Sequence, residues 1–566
     1  LNHYKKRARA CWLLLCFAGG NCLTVQAAAP LPDAGQTTRE LQQEQKKQLE
    51  QKTPKPPLQI DTEPTVKVPG DFQDGTLIAI SEIRITGNRV FSEAILQPLV
   101  MDLTGGSHTL AELEAGAERI ANYYKQHGYF LVNAYIPAQD IKNGVLVITV
   151  LEGSLDKVKL NNTARVSDER VLGHLTILSN SDASQRTVID RQLLLLRSTI
   201  GIDSVHASLQ AGSKAGTSDL LVATTPTPAY NGSIQVDNFG NRYTGEYRVG
   251  ASLNINSPFK LGDQLSARIV GSSNDLLYGR LAYQLPIGGD GWRVGAAYSH
   301  SKYQLGREFD VLDANGTTET ASLFTSYPLY LSQISTLFGT LTYDNKKFND
   351  NLDSVFSKTE KRVQALSIGL RGDHLDTING AGRTSFDATL YAGHLKLDDT
   401  SRQIDAASAK SSGDFVKAGY LLNRLQRVAE QDTLSVSLSG QLAGNNLNSS
   451  EKYSLGGPYG VRAYPQGEAS GDAGSMLNVE LTHDFMPRLQ GILFYDYGHI
   501  KINQNNFSTA DNTRTIAGAG VGVNTSLYGL RLNSYLAWRT QGGVPLSEPA
   551  SAERTPRLWV QLSGEF

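Results

Sequence analysis

The sequence predicts a transmembrane antiparallel β-barrel of about 16 strands over residues 228–566, with a polar helix and two small α+β units ahead of it. The first observation behind this is period two. Leu434, Val436, Leu438, Gly440 and Leu442 alternate with Ser435, Ser437, Ser439 and Gln441. Tyr247, Val249, Ala251, Leu253 and Ile255 alternate with Glu246, Arg248, Ser252 and Asn254. Such alternation puts one parity on each face of a sheet. The second is length: the runs reach about ten residues, enough for a tilted strand to cross a bilayer, where soluble strands average about five or six. The third is spacing. The 338 residues from Ala229 to Phe566 leave about 21 for each of about sixteen strands and its connection. A barrel of that size encloses water, so its inward parity can be polar. No run approaches the roughly eighteen apolar residues of a membrane helix. A membrane chain without helical spans must close its backbone hydrogen bonds in a barrel.

The formal net charge is −2, which gives no basic surplus for nucleic acid. At the N-terminus Lys5, Lys6, Arg7 and Arg9 precede an apolar stretch, Trp12 to Ala18, and Val25-Gln26-Ala27 has the small residues of a cleavage site. Residues 1–27 therefore read as a signal peptide. Cys22 raises a lipoprotein alternative, but Asn21 before it suits a lipobox poorly. Cys11, Cys16 and Cys22 all precede the expected cut, so the mature chain is expected to contain no disulfide and no thiol metal ligand.

Residues 28–53 hold the next element. Thr37-Thr38-Arg39-Glu40 reads as a capping box, with Thr37 as N-cap, opening a helix from Leu41 to Lys52 whose only leucines are Leu41 and Leu49. Pro54, Pro56 and Pro57 end it. A helix polar on every side bridges solvent, sits in a wet cavity or stays disordered. The cavity option fits a chain that also builds a polar lumen; the plainer alternative is a frayed periplasmic tail. Residues 54–76 are proline-rich and read as an extended linker, with a reach of about 70 Å.

Residues 77–153 give strand, helix, helix, strand, strand. Ile80, Ile83, Ile85 and Val90 mark the opening strand, and Ser92 to Asp102 and Thr109 to His127 the helices. Phe130 to Pro137 and Val145 to Leu151 follow, around the turn signal Asn143-Gly144. Residues 154–227 repeat this order more faintly.

This order resembles the TpsB transporters of two-partner secretion, the haemolysin-activator-like branch of the BamA superfamily. The first module resembles the family's first POTRA domain in Gly128-Tyr129, Ile136-Pro137-Ala138-Gln139-Asp140 and Leu151-Glu152-Gly153. The barrel entrance resembles the family in the segment Asp237 to Gly245 and in Leu261-Gly262-Asp263. If strand one starts in the periplasm, Gly456 to Tyr464 lies in the sixth extracellular loop. There Val461-Arg462-Ala463-Tyr464 is similar to the family's Val-Arg-Gly-Tyr tip. Ala463 stands where glycine is usual; a positive φ at that position would cost alanine about 1 kcal/mol. Phe494, Asp496 and Gly498 match the family's Phe-x-Asp-x-Gly pattern, which makes Asp496 the implied wall partner of Arg462. A guanidinium forks onto a carboxylate through two parallel bonds. Lumen water is expected to screen the pair, leaving a conformational latch with little stability. Without that motif, a loop arginine would read as a solvated surface residue. Phe566 ends an alternating strand, which resembles the signal that outer-membrane barrels present to the assembly machinery; an ordinary closing strand is the alternative.

The resemblance implies an outer-membrane transporter that recognises an unfolded TpsA-type exoprotein through periplasmic POTRA domains and exports it through the lumen. The helix with Thr37, Glu40, Leu41 and Leu49 becomes a plug. Outer-membrane lipids, lipopolysaccharide and the assembly machinery are the further partners. A barrel-assembly factor or a passive porin are the competing readings. Gly518 to Gly522 sits among strand residues and reads as wall, and His300, His394 and His483 read as lumen or rim residues. No phosphate loop, paired acid and base, metal-ligand spacing or cofactor motif stands out, so no enzyme is expected.

Overall fold

The computed structural model describes residues 32–50, 60–62, 76–180, 185–214 and 216–566, with only the backbone for 45–50, 60–62 and 179–180. The expected signal peptide and most of the linker lie outside the described residues. The chain opens with α1 (Ala34–Glu50) and β1 (Ile60–Thr62).

The first module holds β2 (Ile78–Ile80), β3 (Glu82–Thr86), α2 (Glu93–Leu96), β4 (Gly106–His108), α3 (Leu110–Gln126), β5 (Val132–Tyr135) and β6 (Val145–Glu152). Its main sheet runs β3-β6-β5, with β3 and β6 parallel. Thr109 and Glu112 form a capping box at the start of α3, whose apolar stripe of Leu113, Ala117, Ile120 and Tyr124 is buried on the sheet. The helix expected from Ser92 to Asp102 is only α2 followed by two 3-10 turns. Pro98 removes a helical donor there and clashes with the preceding turn. Gln139 closes the β6 ladder by side chain, its Nε2 donating to the Val147 carbonyl at 2.8 Å and its Oε1 accepting from Val147 N at 2.9 Å.

The second module holds β7 (Ser154–Asn162), α4 (Asp168–Asn180), α5 (Arg186–Ser198), β8 (Ile202–Ala211) and β9 (Thr217–Pro226). The strand order is β1-β8-β9-β7. The linker's own β1 therefore lies parallel along the edge of β8, with Ile60 opposite Ala207 and Thr62 opposite Leu209.

The barrel closes from sixteen strands. They are β10 (Tyr230–Asp237), β11 (Arg248–Asn256), β12 (Gln264–Ser272), β13 (Leu277–Ile287), β14 (Trp292–Gln304), β15 (Ala314–Leu331), β16 (Ser335–Leu352), β17 (Ser357–Asp376), β18 (Gly382–Leu397), β19 (Gly413–Arg427), β20 (Asp432–Ala443), β23 (Ala473–Met486), β24 (Leu489–Lys501), β25 (Thr513–Leu527), β26 (Leu530–Gln541) and β27 (Arg557–Glu565). A two-strand ribbon, β21 (Tyr453–Ser454) and β22 (Ser470–Gly471), lies in the loop between β20 and β23, and a short helix, α6 (Asp399–Ala406), between β18 and β19. Leucine, isoleucine, valine and aromatic side chains such as Leu253, Leu281, Leu323, Ile368, Leu390 and Leu493 point outward and are exposed, the arrangement lipid requires.

The second module docks on the turns that join even to odd barrel strands. His174 Nδ1 donates to the Gly289 carbonyl at 2.9 Å, Arg191 to the Pro328 carbonyl at 3.0 Å, and Arg293 to Ser198. In the Leu261-Gly262-Asp263 turn the buried Asp263 carboxylate accepts from the Tyr283 hydroxyl at 2.9 Å.

Candidate functional site

Residues 444–472 connect the eleventh and twelfth barrel strands and fold back into the lumen, where Val461, Arg462, Ala463 and Tyr464 are all buried. Inward parity on β24 aims Phe494, Asp496 and Gly498 at them. Asp496 lies between Asn478 on β23 and Gly518 on β25. Arg462 donates from Nε to Asp496 Oδ2 at 2.8 Å and from Nη2 to Oδ1 at 2.7 Å, while its backbone N–H reaches Oδ2 at 3.0 Å. Nη1 donates to Glu480 at 2.6 Å, and the guanidinium carbon stands 3.5 Å from the centroid of the Phe494 ring. Asn478 ties the carboxylate to the loop, donating to Asp496 at 2.8 Å and to the Gly460 carbonyl at 3.0 Å. The Arg462 carbonyl accepts from Trp559 Nε1 on the last strand at 2.7 Å.

Two expectations change here. Water does not screen the pair: Arg462 is 3% exposed and Asp496 0%. Phe494, Tyr535 and Met476 enclose it, so the pair belongs with buried ion pairs, whose loss of one partner is costly. Ala463 does not hold a positive φ and carries no left-handed strain. Its methyl packs over Gly518, where a Cβ would lie 2.4 Å from the Ala463 Cβ. A Cβ on Gly520 would lie 2.4 Å from the Phe494 ring, so the glycines of β25 make room for the motif. Tyr464 donates its hydroxyl to the carbonyls of Gln541 at 2.7 Å and Gly543 at 2.9 Å. Leu455 packs where a Gly498 Cβ would stand.

Two buried carboxylates that the sequence did not single out also hold this loop. Glu468 accepts from Leu546 N at 3.0 Å and Ser547 N at 2.8 Å and pairs with Arg514. Asp472 accepts from Leu447 N at 3.1 Å and Gln504 N at 2.7 Å and pairs with Lys452 at 3.2 Å. Lys346 and Lys417 clasp Glu451, each at 2.8 Å. These partners are far apart in sequence, so no local pattern announces them.

Helix α1 lies inside the lumen. Its cap is Asp33, which accepts from Gln36 N at 2.8 Å, so the helix begins at Ala34 and the box expected at Thr37 and Glu40 does not form. Thr37 instead donates back to the Asp33 carbonyl at 3.1 Å, and Glu40 accepts from Gln36 at 3.0 Å. The N-terminal end sits among the outer ends of β16 and β17. Ala34 N donates to Asp350 at 2.9 Å and Asp33 pairs with Lys361 at 2.7 Å. Arg39 donates to the Ser449 and Lys452 carbonyls at 2.6 and 2.8 Å and to Ser454 at 2.9 Å, joining helix to loop. Gly35 is required for this approach, because a Cβ would stand 2.6 Å from the Ser450 Cβ. Deeper in the lumen Glu44 bridges Arg248 at 2.8 Å and Arg268 at 2.7 Å, and Arg248 reaches on to Asp237 of β10 at 2.8 Å. Leu41 is buried with Val270 and Tyr278; Leu49 lies in the stretch described by its backbone alone. Between helix, loop and wall a cavity of about 320 Å³ remains, lined by Lys346, Asp387, Tyr391, Lys417, Tyr420 and Tyr453.

The barrel seam meets the same site. Phe566 exchanges backbone hydrogen bonds with Gly232 at 2.9 and 3.0 Å, and Asn238 is bonded to the Leu558 carbonyl and Val560 N at 2.9 and 2.8 Å. Phe239 stands edge-on to Tyr459 of the loop and Trp559 of β27. Among the described residues no group of three or more His, Cys, Asp or Glu side chains is arranged to hold a metal ion.

Comparison with known proteins agrees with this architecture. Residues 216–525 match the family model for the haemolysin secretion/activation protein ShlB/FhaC/HecB, and residues 78–153 match the ShlB-type POTRA domain. The heme/hemopexin transporter protein HuxB of Haemophilus influenzae is 26% identical over 486 residues, 84% of either chain. The outer membrane transporter CdiB of Dickeya dadantii is 24% identical over 503 residues, again 84% of either chain. The structure of CdiB from Escherichia coli superposes with a TM-score of 0.71 at 20% identity, covering 95% of this chain and 100% of that one. Barrel, lumen helix, paired periplasmic modules and family match together place the chain among the haemolysin secretion/activation proteins of the ShlB/FhaC/HecB family, the outer-membrane transporters of two-partner secretion.

Proposed function

We propose that this transporter captures an unfolded TpsA-type exoprotein in the periplasm and passes it through the barrel lumen once α1 has withdrawn. The observation that carries this reading is the helix itself. Charged and amide-bearing on most sides, it fills a water-accessible lumen and is held by ion pairs to the wall and to the loop. Glu44 and Arg248 are 4% and 6% exposed, so these are enclosed ion pairs, and the helix leaves when the incoming exoprotein offsets their loss. The buried Arg462–Asp496 pair acts as the latch of the loop tip. Exoprotein capture proceeds by β-augmentation on a POTRA sheet edge. The linker strand β1 already covers the edge of β8, while among the described residues β5 borders its sheet with no further strand. Relatives are named for haemolysin, heme/hemopexin and the Cdi system, and the cargo of this chain is proposed to be an exoprotein of that kind.

Lipid and lipopolysaccharide surround the barrel, and Phe566 presents the closing strand to the assembly machinery. The reading involves no catalytic step, metal or cofactor, and a passive porin would leave two POTRA domains without a task. The test is co-expression with a TpsA-type exoprotein, the first candidate being any large, repeat-rich one encoded beside this gene. The exoprotein is expected in the medium only when this chain is present; equal release in its absence refutes the reading.

A further inference from the structure

The outward face of β14 to β18 carries an ordered sequence of rows, fixed by strand register. Leu323, Tyr343, Leu366, Ala392 and Val416 lie directly opposite one another in an apolar row, with Ile368 and Leu390 paired in the row beneath. The next outward row toward the extracellular loops is Ala321, Asn345, Gln364, His394 and Asp414. The row after that is His300, Glu319, Lys347, Arg362 and Lys396. Tyrosines gather at the boundary, as membrane interfaces favour. Tyr298 lies beside Ala321, and the Tyr343 hydroxyl accepts from Gln364 at 3.1 Å. The third row thus stands at the height of the outer-leaflet headgroups.

Three cations in that row, Lys347, Arg362 and Lys396, are exposed and directly opposite on adjacent strands. At about 4.8 Å per strand they fall within about 10 Å of each other. Like charges facing across a ladder repel and destabilise the sheet. The carboxylates of the next outward row beyond are engaged elsewhere, Glu360 with Lys358 at 2.6 Å and Asp398 as the N-cap of α6. Glu319 approaches Lys347 only to 3.9 Å at one end of the row, and the Arg362 Nε donates to neutral Asn345 at 2.9 Å. Among the described residues no carboxylate forms an ion pair with Arg362 or Lys396.

We infer that Lys347, Arg362 and Lys396 bind the phosphate-bearing headgroup of an outer-leaflet glycolipid, whose acyl chains lie along Tyr343, Leu366 and Leu390. The inference rests on the outer-membrane placement of the barrel. The arginine contributes a planar fork that matches a phosphate in two bonds, and the lysines flank it as point charges. The repulsion within the row is thereby relieved by an anion supplied from the membrane.

The test is native mass spectrometry on the full chain in detergent, incubated with a deep-rough lipopolysaccharide or with the same glycolipid stripped of its phosphates. The wild type is expected to retain the phosphorylated form at least about tenfold more strongly, a difference of about 1.4 kcal/mol. The Lys347→Gln/Arg362→Gln/Lys396→Gln variant, shown to be folded by its heat-modifiable gel mobility, is expected to lose that preference. Equal retention by the variant overturns the site, as does equal retention of the stripped glycolipid by the wild type. Displacement by millimolar inorganic phosphate alone would also overturn it in favour of a free-anion site. Export of the co-expressed exoprotein is scored separately, so the site can fail while the transport reading stands.

Discussion

At the scale of single residues, the loop tip is organised by the shape of one side chain. Arg462 uses its fork on Asp496, its remaining nitrogen on Glu480 and its flat face on Phe494. Lysine has one rotating ammonium and can satisfy only part of this. With both charges buried, removing Asp496 leaves Arg462 with Glu480 alone, and removing Arg462 takes away the cation paired with Asp496. Asp496→Ala is therefore expected to weaken loop docking by about 3–5 kcal/mol, and the Arg462→Ala/Asp496→Ala double variant by clearly less than the sum of the single changes. Protease nicking of residues 444–472 in otherwise folded barrels measures this, and additive effects would show that the two residues act independently. Export is expected to fall in both single variants and in Arg462→Lys. A second residue, His174, sits in the joint between the second module and the barrel. Burial holds its imidazole below the ordinary value, with Arg293 and Arg170 assisting and the bond to Gly289 opposing. A lowered value means that the docked state favours the neutral ring. Docking is then complete above the ordinary value of about 6.5 and weakens as pH falls below it toward the lowered one. Protection factors for amide exchange over residues 168–178, which divide out the intrinsic slowing at lower pH, should therefore fall from pH 7.5 to pH 5.5 in the wild type. His174→Gln should abolish that pH response; an identical response in the variant would place its origin elsewhere.

At the scale of elements, α1 shows what a sequence discloses and what it withholds. Its polarity on every side already ruled out a core helix and pointed to a wet cavity, and the barrel strands were legible because long stretches of them follow period two, register shifts in the β15–β16, β23–β24 and β25–β26 pairs apart. Its start was not, because Asp33 and Thr37 can each cap a helix and only the former lies where the wall leaves room for the first turn. The loop-tip residues were legible through a motif, whereas Glu468 and Asp472 bond to backbone groups as far away as Ser547 and carry no local signature. The helix is tied to the loop through Arg39 and to the wall through Glu44, so loosening either end should favour its departure. Deleting residues 34–50 is expected to raise single-channel conductance in planar bilayers, and Glu44→Gln, which leaves Arg248 and Arg268 with less compensation, to raise the frequency of open events. Unchanged conductance after deletion would mean that the helix does not occlude the pore.

At the scale of the whole molecule, the seam separates passage through the lumen from release through the wall. The ladder between β10 and β27 runs only from Ser233 opposite Glu565 to Asp237 opposite Gln561, whereas that between β16 and β17 runs from Ser335 opposite His374 to Leu352 opposite Ser357. A short ladder is the place where a barrel would part if its substrate left sideways into the membrane, as an assembly factor requires. Two features here oppose parting. Arg248, clamped by Glu44 of the helix, also holds Asp237 at the end of β10, and Trp559 of β27 is bonded to the loop tip. A transporter needs the helix to move and not the seam. Val236 and Leu562 face each other across the seam and both point to lipid. Antiparallel pairs of this kind place their Cα atoms about 4.5–5.5 Å apart, within the range a disulfide spans. No cysteine follows Cys22, so a Val236→Cys/Leu562→Cys pair would have no competing thiol within residues 23–566. With the bond formed, the exoprotein is expected to reach the medium at the wild-type rate, because its path lies through the lumen. If oxidation stops export and reductant restores it, the wall must open, and the passage assigned to the lumen would have to be reassigned to the seam.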